Sequence, residues 1–358
     1  MPVTEKDIEV ILQESAPMID SEIEKVFPKQ FTEESAKQLL GPPRYQYDLT
    51  SINKAISEPA WDLLSRGGKR WRPALMMLAY EAVSGRPGTE VKEYTPAVEI
   101  IHNGTLIADD TEDDSDLRRG KPTTHRVYGV DIAINLSSAM YLIPLAGLFK
   151  DTKLKPETKL AIYEAIIKDL LICHIGQATD IYWHKGLCEV ENDDLYLQMC
   201  AAKTGSLARI AMKLGALLAK GTKEQIEALG AFGEAIGIAF QIQDDILNIT
   251  ESELSKGKGL GEDIHEGKRT LMVIHTLSQA NAEDKEKLLQ ILNSHTNKPN
   301  EIANAIQILQ KYHSIEFAKE KARAIIQDST INLRGVLPES EARRKLILFA
   351  QYLIEREI

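Results

Sequence analysis

Apolar side chains recur along this chain at the spacing of an α-helix, and sustained apolar–polar alternation is almost absent. Leu160, Ile167, Leu170 and His174 fall on one helical stripe, Ile302, Ile306, Leu309 and Tyr312 on another, and Ala342, Leu346, Phe349 and Leu353 on a third. A half-buried strand repeats every two residues and a helix every 3.6, so the class read from this pattern is all-α. Chain breakers lie between the periodic segments: GPPR near Gly41, SGRPG near Gly85, GKGLG near Gly257 and SHTNKPN near Asn297. None is long enough to join separate domains. The expectation is one large helical domain over residues 41–358, preceded by an N-terminal helical arm over residues 1–40.

Charge removes one class of partner. The formal net charge is −10 over 358 residues and no basic run interrupts it. Nucleic acid binding needs a concentrated basic face, so no nucleic acid partner is expected. Cys173, Cys188 and Cys200 show no metal-ligand spacing, which fits a reducing compartment without a disulfide framework. MPVTEKDIEV lacks the apolar core of a signal peptide. AMYLIPLAGLF is about half the length a bilayer requires and contains Pro144. A soluble, cytoplasmic protein without a transmembrane segment is expected.

The chemistry is concentrated in two carboxylate clusters. In LIADDTEDDSDLRRG, Asp109 and Asp113 are four residues apart, so both leave one helical face with about 6 Å between them. Thr105 and His102 extend that face backwards, while Asp110 and Asp114 lie to its side. An isolated pair of this kind reads equally well as a solvated acidic surface. Here the preceding EIIHNGTLIA carries no charge after Glu99, and a helix buried up to Asp109 delivers its carboxylates to a cavity wall. GIAFQIQDDILNI repeats the device with Asp244 and Asp245, flanked by Gln241 and Asn248. Charged pairs are rarely buried without partners, and two clusters facing a shared cavity would repel unless cations bridged them. Carboxylates without His or Cys favour a hard cation, and Mg²⁺ fits best because it fills its remaining positions with water and substrate phosphates.

Cations for such phosphates stand nearby in the sequence. Arg118 and Arg119 follow the first cluster, and Lys258 and Lys268 the second. RGGKRWRP supplies Lys69, Arg70 and Arg72 beside a Gly-Gly pair, and AAKTG supplies Lys203 and Thr204. Taken singly each reads as an ordinary surface residue; taken together they read as pyrophosphate clamps.

On these motifs the chain resembles the trans-isoprenyl diphosphate synthases, or polyprenyl synthetases, most nearly the geranylgeranyl diphosphate synthases. GGKRWRP, IIHNGTLIADDTEDDSDLRRGKPTTH, GQATD, KTG, FQIQDD and GEDIHEGKRT occur in the family's order between Gly67 and His275. The resemblance implies a helical bundle around a deep central cavity, usually a homodimer, and three Mg²⁺ ions per active site with substrate bound. It implies Asp109, Asp113 and Asp244 as metal ligands. It implies Arg118, Lys203, Lys258 and Lys268 on the allylic diphosphate, and Lys69, Arg72, His102 and Arg119 on isopentenyl diphosphate. Thr204, Gln177 and Gln241 would be the dipoles near the reacting carbon. One departure stands out: Asn248 occupies a place where many relatives carry a third aspartate.

The implied reaction joins isopentenyl diphosphate head to tail to an allylic diphosphate. It needs no enzyme nucleophile, in keeping with the lack of a Ser/His or Cys/His constellation. The Lys256–Gly261 span would serve as a lid. A hydrocarbon tunnel would start at Asp109 and run back along its helix past Thr105 and Gly104, about 6 to 7.5 Å along the axis. Both are small, so elongation would pass fifteen carbons to reach geranylgeranyl diphosphate, with Ile100, Ile101 or the Leu136–Tyr141 segment as the floor. The competing reading is that both merely permit close helix packing. A longer-chain or farnesyl diphosphate synthase is the alternative product class, and a non-catalytic partner subunit the alternative role. A terpene cyclase would not need GGKRWRP, and a helical scaffold would not need two acid clusters in apolar helices.

Overall fold

The computed structural model describes residues 5–188, 190, 192–250 and 261–354. Helix accounts for 79% of the chain. Among the described residues the only sheet is one two-stranded hairpin, so the all-α expectation holds. The chain divides into two compact units. The first comprises residues 1–167, 210–226 and 338–346, and the second residues 168–209, 227–337 and 347–358.

The division does not follow the boundary expected at residue 40. The Glu5–Val26 helix buries Ile19 and Ile23 in the same cluster as Leu63, Ile100, Ile107, Leu136 and Met140. Each fully buried side chain of this size contributes about 1.5–3 kcal/mol, so this helix shares the first unit's core. In the same unit the Thr95–Glu112 helix lies against the Val130–Lys150 helix, and Gly104 is packed against it. A Cβ placed there would stand 3.0 Å from both Met140 Cβ and the Tyr141 ring, and 3.2 Å from the Ser137 carbonyl oxygen.

Two features of this region differ from the sequence reading. Pro144 lies inside a helix of 21 residues, Val130–Lys150, that is long and apolar enough to cross a membrane. Only 33% of its apolar window is buried, and Val130, Ile134, Leu142 and Phe149 are exposed. On the Pro156–His184 helix the periodic stripe marks the wrong face. Leu160 and Ile167 are exposed, while Ile162, Ile166, Asp169 and Cys173 are buried. Period identifies a helix, but two apolar faces on one helix leave open which of them is inside.

In the second unit the Lys223–Ile249 helix meets the Ala201–Gly205 turn at paired glycines. A Cβ on Gly237 would lie 2.5 Å from Gly205 Cα, and one on Gly176 would lie 2.4 Å from the Lys203 amide nitrogen. Ala201–Gly205 is itself one turn of π-helix, a widening often found at functional sites.

Candidate active site

In the first unit the Thr95–Glu112 helix is buried along most of its length and ends in the acid cluster, with Ile107 and Asp110 buried and Asp109 half-buried. Asp113 closes the helix, its amide donating to the Asp109 carbonyl at 2.9 Å. The chain then forms a hairpin that pairs Leu117 with Pro122 and Arg118 with Lys121. Its two-residue turn, Arg119–Gly120, has positive φ at both positions, 52° and 72°, which matches the twist of a tight hairpin. Arg66 fastens this hairpin from outside the cluster. Its guanidinium donates to the Arg118 carbonyl at 3.0 Å and the Pro122 carbonyl at 2.8 Å, and pairs with Asp62 at 2.7 Å.

The hairpin folds Arg118 back onto the cluster. Its Nε lies 2.8 Å from Asp110 Oδ1, and its Nη2 lies 3.6 Å from Asp109 Oδ2. The sequence reading left Asp110 to the side of the site. The structure makes it the buried partner of the Arg118 guanidinium, while Asp109 and Asp113 are half-buried. Neighbouring aspartates look alike in sequence, and the Arg118 fold-back, eight residues on, tells them apart.

Arg72 and His102 come together, and Arg119 is near enough to act on the His102 imidazole electrostatically. Arg72 Nη1 lies 3.1 Å from His102 Nε2, and the Arg72 guanidinium stacks over the Trp71 ring at 4.1 Å. Arg119 donates to the Gly67 and Leu63 carbonyls. Burial and the surrounding guanidiniums, Arg72 foremost, hold the His102 imidazole well below its usual pKa, so it is neutral at pH 7. Lys69 is exposed at the tip of the glycine loop. Thr105 is half-buried, whereas Gly104 is taken up by packing against Met140 and Tyr141.

In the second unit Lys203, Gln241 and Lys268 line one cleft with Asp180, Tyr196, Asp245 and Arg269. Lys203 Nζ pairs with Asp180 at 2.6 Å. Thr204 Oγ1 donates to Gln241 Oε1 at 2.8 Å, and Gln241 Nε2 donates to Asp245 Oδ1 at 2.8 Å. The Tyr196 hydroxyl donates to the other Asp245 oxygen at 2.7 Å. Burial, with Asp263 and Asp244 adding negative charge, pushes the Asp245 carboxyl well above the usual carboxylate range. Asp244 is exposed and so is the member of the pair available to a cation. Asn248 is engaged otherwise: its side-chain oxygen accepts from the Asp263 amide at 3.1 Å. Lys268 is held by Glu266 at 2.5 Å. Gln177 is half-buried beside Gly176 on its helix. Lys258 and most of the expected lid lie outside the described residues.

Among the described residues no three His, Cys, Asp or Glu side chains form a metal cage. Asp109 and Asp113 in the first unit, and Asp244 in the second, are each carboxylates of the kind magnesium takes, one or two from a protein, with water and phosphate completing its shell.

The Polyprenyl synthetase family model matches residues 53–309. The chain belongs to this family. A short chain isoprenyl diphosphate synthase of Methanothermobacter thermautotrophicus is 37% identical over 297 residues, covering 82% of this chain and 88% of the relative. A geranylgeranyl diphosphate synthase of Saccharolobus solfataricus is 33% identical over 305 residues, covering 85% and 91%. Among solved structures, a geranylgeranyl pyrophosphate synthetase of Pyrococcus horikoshii matches with a TM-score of 0.84 and 32% identity over 98% of this chain and 99% of that one. This polyprenyl synthetase is therefore a trans-prenyltransferase, and its substrates are isopentenyl and allylic diphosphates.

Proposed function

We propose that this polyprenyl synthetase makes geranylgeranyl diphosphate, with Asp109, Asp113 and Asp244 as magnesium ligands. The observation that carries the site assignment is the end of the Thr95–Glu112 helix, where a buried carboxylate, Asp110, aims Arg118 at Asp109. Magnesium, when bound, neutralises the charge that grows on departing pyrophosphate. The chain's own cations do the same: Arg118, Lys203, Lys258 and Lys268 hold the allylic diphosphate while its C–O bond breaks and the bonding pair leaves with pyrophosphate. Lys69, Arg72, His102 and Arg119 hold isopentenyl diphosphate so that its double bond attacks the allylic carbon. The new C–C bond takes the alkene's electron pair, and loss of a proton to pyrophosphate restores a double bond. Fixed dipoles of Thr204, Gln177 and Gln241 stabilise the cation between these events, and the neutral His102 donates without adding a charge that titrates near pH 7.

Product length follows from Thr105, small and half-buried one turn before Asp109. The names of relatives support twenty carbons. The protein acts as a homodimer in the cytoplasm. Exposed Leu142 and Phe149 supply an apolar face for a second copy, and three free cysteines suit a reducing compartment. Incubation with isopentenyl diphosphate, each allylic diphosphate and Mg²⁺, followed by chain-length analysis, tests the reading. A main product of twenty carbons supports it, and one of fifteen or of thirty and more refutes it.

A further inference from the structure

The loop that carries Lys69 is wound the wrong way for L-residues. Gly67, Gly68 and Arg70 all have positive φ, at 82°, 140° and 49°. Glycine adopts such angles readily, but arginine meets a steric cost and stays there only where its surroundings over-determine it. At Arg70 they do. Its Nη1 lies 2.8 Å from Glu99 Oε1, its Nη2 donates to the Leu64 carbonyl at 2.8 Å, and its Nε lies 2.8 Å from Asp20 Oδ1. Glu99 is fixed in turn by Asn103 Nδ2 at 3.0 Å. The Arg70 and Glu99 side chains are buried, whereas Asp20 is 48% exposed.

These contacts tie three parts of the first unit to one guanidinium. Glu99 stands one residue-triplet before His102 on the same helix, Arg72 follows Arg70 by two residues, and Asp20 comes from the N-terminal helix. A Cβ on Gly68 would meet the Arg119 and Arg70 guanidiniums at 3.2 and 3.4 Å, so the loop wraps both. Arg70 itself faces carboxylates and is not available to phosphate.

We infer that Asp20 and Glu99, acting through Arg70, are positioning residues that hold Lys69, Arg72 and Arg119 in their binding arrangement, so that the N-terminal helix sets the affinity for isopentenyl diphosphate. The inference rests on the proposed assignment of that pocket. Asp20 reaches a buried cation from a half-exposed position, so its loss loosens the loop without leaving the core unpaired, because Glu99 remains.

Steady-state kinetics of the full chain test this, with both KM values and kcat measured for Asp20→Asn, Asp20→Glu and Arg72→Ala. Asp20→Asn is expected to raise KM for isopentenyl diphosphate about threefold to fivefold, the effect of weakening a partly exposed ion pair. KM for the allylic diphosphate and kcat stay within about twofold on the same basis, and Asp20→Glu recovers part of the loss. A purely structural role would lower kcat through loss of folded enzyme and leave both KM values unchanged, and that result overturns the inference. It is also overturned, with the pocket assignment intact, if Arg72→Ala raises KM for isopentenyl diphosphate and Asp20→Asn does not. If Arg72→Ala leaves that KM unchanged, the pocket assignment fails and the inference falls with it.

Discussion

Arg118 is seated on Asp110, its Nε 2.8 Å from a carboxylate that is almost wholly buried. The pair holds the guanidinium with Nη2 3.6 Å from Asp109 Oδ2, so the diphosphate proposed to bind there would meet a cation already in place. Asp110→Asn keeps the shape and removes the charge. It is expected to raise KM for the allylic diphosphate and to lower kcat about tenfold to a hundredfold, in line with losing a preorganised electrostatic group. An unchanged allylic KM and kcat would show that Arg118 needs no anchor.

Metal dependence should be steeper. Asp109→Ala and Asp244→Ala are expected to lower turnover by several orders of magnitude, on the order of 10³-fold or more, with far-ultraviolet circular dichroism unchanged. EDTA should reproduce the loss in the native protein and Mg²⁺ reverse it. Full turnover in a metal-free assay would refute the assignment.

The two small residues before Asp109 should behave differently. Gly104 is packed against Met140, Tyr141 and the Ser137 carbonyl, so Gly104→Phe forces two helices apart and is expected to destabilise by about 1–3 kcal/mol or more. Thermal unfolding measures it. Thr105 is half-buried, and Thr105→Phe is expected to leave stability nearly intact while shifting the main product from twenty carbons towards fifteen. Chromatography of the dephosphorylated products decides that point.

Acid should weaken the fold through His102. Burial and the neighbouring arginines lower its pKa in the folded state, so the unfolded chain binds a proton more readily. Stability from this group is present above the unfolded value near 6.5 and is lost as pH falls below it towards the folded pKa. His184 and His275 are shifted the same way by burial. His102→Asn should flatten, but not abolish, the fall in Tm between about pH 7.5 and 5.5. An identical slope in the mutant would show that His102 is not held neutral.

Asn248 offers a test of the departure from the family's pattern. Its oxygen accepts from the Asp263 amide, and an aspartate can do the same. Asn248→Asp would add charge near Asp244, Asp245 and Asp263, and is expected to lower the metal-free Tm while raising apparent Mg²⁺ affinity. Thermal unfolding with and without Mg²⁺ reads both effects, and a Tm insensitive to the metal would argue against a cation at Asp244.

Much of this was legible in the residues because helical period and motif order are local signals. The charged helix end at Asp109 and the cluster at Asp244 were visible as interruptions of apolar helices. What was not legible depends on contacts across the chain. Arg70 and Asp20 are fifty residues apart in sequence, and no local pattern joins them. Arg66 drew no attention in the sequence, yet it fastens the hairpin that carries Arg118 and Arg119. Leu160 and Ile167 sat on a true helical stripe, but the opposite face is the buried one, because an apolar stripe does not say what covers it.

The widened turn at Ala201–Gly205 also governs how the chain can tolerate change in length. An α-helix advances about 100° per residue, so a one-residue deletion here would restore regular winding and rotate Lys203 and Thr204 by about that angle relative to the helix that follows. Neither residue would need to be altered for both to lose their partners, Asp180 and Gln241. The phase of this segment is therefore counted in residues rather than spelled in side chains, and an insertion or deletion that leaves every motif letter intact would break both contacts.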